Sequence, residues 1–514
     1  IIENKKLYKD NACLSCPCNL SVEIDRTVGW FTSVYPLALT GLGSDIRTDI
    51  RNTKETLHAI PNKGVGYGQL SGMDCHKAPM IGFNYHGEFS EGGGENSQFF
   101  SLEDGIAHGS GVSDKNTFIT NISINGLVSG GELQYSAVYN TAMFSAEDMA
   151  RFNEYYLDEL RNIVAHTAQV EKPETTASDL GETTWTDAEF QNVCNSYLAQ
   201  NVSIKRIYPL TPMQESMLLK VIAEPDTPAY RIFYQLNVEA LLTEEQVSKA
   251  AQILMAKHEV LSTAFVYKNV SSYRQVLTDR RIPVIMEDAT TVADATSFIN
   301  DIRTRETNRG FDLQDDALMR IVCVKTSDAS CKLMLFFHHI IIDGWCLHLV
   351  FSDLTYGLVN GANISIDAIE DENAGVYESH VRDLAKRNRK ESLEYWKNLL
   401  DAYEQKAVIP SHGIVPENEH SDSDHAFLNI EPEVMKGLVD VCDKAGVTIN
   451  SVVELVWGIT LGVYNRTQDA IFVKVVSGRN TSQLNLGNVV GLCINSVPVR
   501  VKFDYNDTVV EALK

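Results

Sequence analysis

The stretch His338-His339-Ile340-Ile341-Ile342-Asp343-Gly344 is the part of this chain best suited to chemistry. Histidine titrates near neutrality, so an imidazole presented to a cleft can take a proton from an amine or hydroxyl nucleophile. Asp343 stays near the histidines without reaching a substrate, and it is expected to fix the loop. Gly344 is expected to let the backbone turn sharply. Two structural histidines at a strand end would give the same local pattern, so the surroundings must decide.

Those surroundings are a strand and a helix. CKLMLFF at 331–337 is a run of the buried-strand type, and it leads straight into the histidines. After the motif, Leu347, Val350, Phe351 and Leu354 fall at i, i+3, i+4 and i+7, the stripe of a helix. A loop between the two can project an imidazole. The free N–H groups at the start of the helix favour developing negative charge. Upstream, Pro209 and Pro212 precede a helix carrying Met213, Met217 and Leu218, whose methionines read as core. Residues 244–258 follow as an amphipathic helix, and 260–267 as a strand. Downstream come helices at 433–446 and 450–467, a strand at 470–480 and a strand-like run at 493–503. Trp345 and Trp457 read as packing residues in apolar helices.

The first part of the chain differs. Short β-like stretches, LSVEIDRTVG, GFNYHGEF, TFITNISIN and GELQYSAVYN, are separated by Gly-rich breaks, the punctuation of a sheet with turns. A helix closes it, with Ser145 as N-cap, Asp148 three residues on, and Met149, Phe152, Tyr156, Leu160 and Ile163 as its apolar stripe. Residues 170–186, acidic and rich in Thr, Ser and Pro, read as an exposed linker, with a short helix after it. VGWFTSVYP at 28–36 also lines up with VGLCINSVP at 490–498, matching Val28, Gly29 and Pro36 to Val490, Gly491 and Pro498. Such an echo suggests two copies of one fold.

Composition narrows the function. The chain has 514 residues, more than one hydrophobic core usually organises. A net charge of −24 repels phosphate and argues against nucleic acid as a partner. No apolar run approaches bilayer length, and IIENKKLYKD lacks the order of a signal peptide, so no membrane contact and a cytoplasmic location are expected. The lack of an initial Met suggests a fragment. Ten cysteines are too sparse for a disulfide scaffold. A zinc site built on Cys13, Cys16 and Cys18 would need a fourth ligand, with Cys75–His76 the nearest pair. No second knuckle matches that spacing, so reduced thiols and no metal are expected. EGGGEN at 91–96 lacks the lysine and Ser/Thr of a phosphate-binding loop, and VSGG at 128–131 lacks the context of a carrier attachment serine.

With its strand, its helix and Trp345, the histidine motif resembles the active-site motif of the condensation domains of nonribosomal peptide synthetases. YPLTPMQESML at 208–218 resembles their opening motif, and KHEVLSTAF at 257–265 is similar to their R-H-E-x-L-R-T-x-F. VVSGRN at 475–480 and NVVGLCINSVPVRV at 488–501 resemble motifs of the second lobe. DRTVGWFTSVYP, GVGYGQL and FNYHGEF resemble the end of the related epimerization domain.

The resemblance implies an α/β (α+β) fold of two lobes, each like chloramphenicol acetyltransferase, meeting in a V. It divides the chain into an epimerization remnant (1–169), a linker with a short helix (170–204), a condensation N-lobe (205–385) and an incomplete C-lobe (386–514). The implied reaction joins a carrier-bound donor thioester to the amine of a carrier-bound aminoacyl acceptor. His338, His339, Asp343 and Gly344 are the implied site residues, His339 being the catalytic one and Asp343 structural. The chain would bind no cofactor itself. Upstream and downstream peptidyl carrier domains would present 4'-phosphopantetheine thioesters, with an adenylation domain in the same synthetase. A donor ending in a D-residue is implied by the preceding epimerization part, whose own histidine and glutamate motifs are missing here. The family's two arginines are replaced by Lys257 and Ser262. Lysine offers a point charge in place of a fork, so either Lys257 or another arginine is expected opposite Asp343. A free-standing acyltransferase using coenzyme A, whose plant-type members carry D-F-G-W-G, and an inactive fragment are the alternatives.

Overall fold

The structure, a computed structural model, describes residues 2–4, 32–40, 42–43, 45–71, 80–89, 113, 120–170, 174–369, 371–404, 407–410, 426–481 and 484–513. Cys13, Cys16, Cys18, Cys75, His76, Val28, Gly29 and the EGGGEN stretch lie outside the described residues. Internal packing divides the chain into two units, Ile1–Thr183 and Thr184–Lys514.

The first unit holds a five-stranded sheet in the order β2-β1-β3-β4-β5. Its strands are β1 (Ile2–Asn4), β2 (Ser33–Tyr35), β3 (Ile81–Phe89), β4 (Ile122–Ser129) and β5 (Glu132–Tyr139). β1 runs antiparallel to β2 and parallel to β3, and β4 closes a hairpin with β5. Its helices are α1 (Ile46–His58), α2 (Tyr67–Ser71) and α3 (Ala146–Thr167). The expected capping box at Ser145 and Asp148 is formed in both directions. It starts α3, which buries Met149 against Ile122 and Ile124 of β4.

Residues 174–186 are only partly the exposed linker that their composition suggests. Thr176, Glu182 and Trp185 are buried. Arg47 Nε donates to Glu174 at 2.7 Å, and Ser178 Oγ donates to Glu55 at 2.7 Å, so residues up to Leu180 are held on α1. Beyond the division, Trp185 Nε1 donates to the carbonyl of Ser272 at 2.8 Å within the second unit. Opposite charges on α1 explain the docking: the acidic stretch finds basic partners that composition alone does not reveal.

The second unit begins with α4 (Asp187–Ala199), β6 (Ile204–Tyr208), α5 (Pro212–Ala223), β7 (Arg231–Val238) and α6 (Glu244–Lys257). There follow β8 (Thr263–Val266), β9 (Arg274–Thr278), β10 (Val284–Asp288), α7 (Ala295–Arg309), β11 (Met319–Ser327), β12 (Ser330–His338) and α8 (Leu347–Asn360). It continues through α9 (Val376–Lys386), α10 (Arg389–Leu400), α11 (Pro432–Ala445), α12 (Ile449–Asn465), β13 (Asp469–Val476) and β14 (Asn495–Lys502). The sheets run β10-β11-β12-β7, β6-β9-β8 and β13-β14.

The continuous apolar run of β12 has a direct cause. Leu333, Leu335 and Phe337 point into a core shared with Val247, Ala250 and Leu254 of α6 and with Val350 and Leu354 of α8. Met334 and Phe336 point the other way, against Ile299 and Ile302 of α7. A strand buried on both faces cannot alternate with polar residues. Each such side chain contributes about 1.5–3 kcal/mol on leaving water, which makes this strand a rigid support for the loop at its end.

The sequence echo is also an echo of pairing. In the first unit Ser33 faces Asn4 and Tyr35 faces Ile2. At the positions that the echo aligns, Asn495 faces Val476 and Val497 faces Lys474. Both pairs are antiparallel.

Candidate active site

The loop after β12 is anchored on both sides of its strand. His338 N donates to the Leu318 carbonyl at 3.0 Å, and His339 N donates to the Tyr230 carbonyl at 2.8 Å. Ile340, Ile341 and Ile342 are fully buried in the main core. These anchors leave the two imidazoles in different settings.

His338 is buried, and its Nδ1 accepts from the backbone N–H of Ile340 at 3.2 Å. Phe311 meets its ring edge-on, and Tyr230 lies beside it. Burial first, then the neighbouring His339 and Arg231, push its pKa down to about 3, so the ring stays neutral. His339 is only half-buried. Its Nδ1 is shielded from water yet has no hydrogen-bond partner among the described residues. An unpaired buried polar atom is rare in a folded protein and sets this ring apart from its neighbour.

Asp343 is almost wholly buried and serves as a hub. Its Oδ1 accepts from Arg479 Nη2 at 3.0 Å, and its Oδ2 accepts from the backbone N–H of Cys493 at 2.9 Å. The Cys346 thiol lies 3.2 Å from Oδ1, and burial pushes that thiol up to about 12, which keeps it protonated. Arg479 Nη1 donates to the carbonyls of Leu486 (2.6 Å) and Val489 (2.7 Å), and Nη2 lies 3.2 Å from that of Gly491, while the buried Nε has no partner among the described residues. One guanidinium thus draws residues 486–493 together and closes them on the histidine loop. Gly478, just before it, has φ +66°, and a Cβ there would meet the Cys493 carbonyl at 2.0 Å. Only glycine fits.

Lys257 does not pair with Asp343. Its Nζ donates to Asp353 of α8 at 2.5 Å, and His258 Nε2 reaches the other oxygen at 2.8 Å. Burial raises Asp353, but these two hydrogen bonds outweigh it and hold its carboxyl below the ordinary value. Ser262 does not face Asp343 through a hydrogen bond either; its carbonyl accepts from Thr278 Oγ1 at 2.7 Å. The arginine opposite Asp343 is Arg479, within the VVSGRN stretch.

Two further expectations are corrected. Gly344 does not take a left-handed φ, and a Cβ there would meet nothing within 4 Å, so the turn does not require glycine. Trp345 and Trp457 are not buried packing residues. Trp345 lies over the Arg479 guanidinium and donates its Nε1–H to the Gly487 carbonyl at 2.9 Å, shielding the ion pair from one side. The helical stripe of α8 is as expected, with Val350 and Leu354 buried and Leu347 and Phe351 packed against the core. Among the described residues no group of three or more His, Cys, Asp or Glu side chains could hold a metal ion. No single described helix is long and apolar enough to cross a membrane.

The loop at the end of β12 thus holds one hydrogen-bonded imidazole and one whose Nδ1 has no partner among the described residues, and a buried ion pair clamps it to a distant segment. The Condensation domain family model matches residues 19–184 and 204–514, so the chain belongs to that family. Across nearly its whole length it is similar to bacitracin synthase 3 of Bacillus licheniformis, with 29% identity over 493 residues, covering 94% of this chain and 8% of that protein. Bacitracin synthase 1 of Bacillus licheniformis is 29% identical over 506 residues, covering 96% of this chain and 9% of that protein. The chain therefore spans less than a tenth of the length of either relative. Among solved structures, a four-domain nonribosomal peptide synthetase bound to AMP and glycine matches with a TM-score of 0.51 and 19% identity, over 61% of this chain and 23% of that one. The epimerization domain from the third module of tyrocidine synthetase B matches with a TM-score of 0.50 and 17% identity, over 60% of this chain and 71% of that one. These establish the α/β condensation-type fold.

Proposed function

We propose that residues 205–514 act as a condensation domain of a nonribosomal peptide synthetase. They would form a peptide bond between a donor thioester and the α-amine of an aminoacyl acceptor, both carried on phosphopantetheine by partner carrier domains. The amine nitrogen attacks the thioester carbonyl as the C–N bond forms. His339 receives the amine N–H, orienting the nucleophile and taking its proton. The C–S bond breaks, and the departing pantetheine thiolate ends with a proton. His338, kept neutral and hydrogen-bonded to its own loop, shapes that loop, as does Asp343.

The observation that carries this reading is the contrast between the rings: His338 has its Nδ1 engaged, while the shielded Nδ1 of His339 has no partner among the described residues. The test loads a peptidyl thioester on the upstream carrier and an aminoacyl thioester on the downstream carrier of the intact synthetase. His339→Ala is expected to slow product formation about 10²–10⁴-fold, the usual worth of a positioned acid–base group. An unchanged rate would remove His339 from the mechanism.

The first unit is read as the closing part of an epimerization domain, which favours a donor ending in a D-residue. Swapping that residue from D to L is expected to slow the reaction, and equal rates would refute the stereochemical assignment. Cytoplasmic location and an adenylation partner belong to the same reading, supported by the similarity to peptide synthases along the chain.

A further inference from the structure

The opening motif, YPLTPMQESML, places a glutamine at the centre of the second unit. Gln214 is wholly buried, and its amide is fixed at both ends. Its Oε1 accepts from the backbone N–H of Thr211 at 2.9 Å, half of the capping box that starts α5. That bond decides which way the amide faces, because only the oxygen can accept it. Its Nε2 is thereby turned inward, where its two N–H groups are shared among three acceptors within reach. They are the Ile340 carbonyl in the histidine loop (3.1 Å), Gln275 Oε1 on β9 (2.9 Å) and the Tyr377 hydroxyl on α9 (3.1 Å). Tyr377 passes the chain on by donating to the Leu492 carbonyl at 3.1 Å. Gln275 passes it the other way, donating to the Pro209 carbonyl at 2.8 Å.

We infer that Gln214 is a positioning residue for the His339 loop, holding it in register with residues 491–493 through Tyr377. Ile340 follows His339 directly, and residues 491–493 include the backbone N–H that grips Asp343. The network therefore reaches the loop at Ile340 while Arg479 reaches it at Asp343, so the loop is held at two points by groups from elsewhere in the chain. A buried donor with its acceptors already in place cannot shift without leaving polar atoms unpaired, which makes the network rigid. A glutamate would still complete the capping box, but it would point acceptor oxygens at the Ile340 carbonyl and Gln275 Oε1. The helix cap by itself does not call for glutamine; the loop does.

This inference rests on the reading of His339 given above, so its test has a second readout. In the intact synthetase, Gln214→Met keeps the side-chain length and removes the donor. We expect kcat to fall about 10–100-fold while the acceptor KM changes less than about twofold, as for a reacting group displaced by a fraction of an ångström to an ångström. Amide exchange at Ile341 and Cys493 is expected to quicken while exchange at Leu335, in the middle of β12, stays slow. Tyr377→Phe, which keeps the ring and Gln214, is expected to quicken exchange at Cys493 more than at Ile341. Thr211→Ala breaks the cap hydroxyl alone and is expected to lower the melting temperature without the loss in kcat. Wild-type kcat in Gln214→Met, or exchange that quickens equally at Leu335, would overturn the assignment. If His339→Ala also left the rate unchanged, the functional reading would fail, while the exchange pattern would still decide the role of Gln214.

Discussion

Asp343 and Asp353 stand ten residues apart, each facing a cation, and they could hardly be held more differently. Asp343 is sealed in the core and gripped by a guanidinium that arrives from the far end of the unit. Asp353 sits on the rim of α8, partly in water, and shares itself between Lys257 and His258 of the preceding motif. The difference teaches which contact shapes the site. A buried ion pair is costly to break, because removing one partner strands the other charge away from water. A pair partly open to solvent, as on the Lys257 side, is screened more and contributes less. The lysine found where the resemblance expects an arginine therefore belongs to the weaker contact, and the demanding one has its arginine.

The contrast can be tested from its strong end downward. Asp343→Ala leaves the Arg479 guanidinium buried without its carboxylate, and we expect a loss of about 3–5 kcal/mol in denaturant unfolding, with the catalytic rate falling alongside. A loss below about 1 kcal/mol would erase the distinction between the two aspartates. His338 gives the next largest effect. Its folded pKa, about 3, lies below the ordinary histidine value, so the unfolded chain takes up a proton first as pH falls. The stability it supports is present above about pH 6.5 and drains away as pH drops toward 3, at about 1.4 kcal/mol per unit. His338→Asn should flatten that slope between pH 6.5 and 4.5, and an unchanged slope would mean that the ring is already protonated in the fold. The smallest effect belongs to Lys257→Ala, expected to cost about 1 kcal/mol or less and to leave the rate near wild type. A rate loss approaching that of Asp343→Ala would return Lys257 to the site.

Much of the scaffold was legible because it rests on local signals. CKLMLFF announced a strand buried on both faces, the stripe from Leu347 to Leu354 announced α8, and Ser145 with Asp148 announced the start of α3. The histidine loop was legible as well, since strand, loop and helix adjoin in sequence. What stayed hidden was long-range. Arg479 is separated from Asp343 by 136 residues, and no spacing rule connects them. Gln214 lay inside a recognised motif, yet its acceptors come from three segments that only folding brings together. Trp345 misled because its apolar neighbours suggested burial, whereas its indole roofs the ion pair from the surface. Glu174 and Asp179 misled for the opposite reason: their acidic surroundings look solvated, yet each pairs with a basic side chain of α1.

The Arg479 clamp also has a bearing on how the chain acquires its shape during synthesis. A ribosome that has just released His339 has yet to make the guanidinium that closes the loop around Asp343, and contacts this distant in sequence form late. The nascent first half can build its strands and helices while its histidine loop waits, unclosed, for residues still to be translated. Competence would then arrive in one step, once the stretch from Gly478 to Cys493 has been threaded into place.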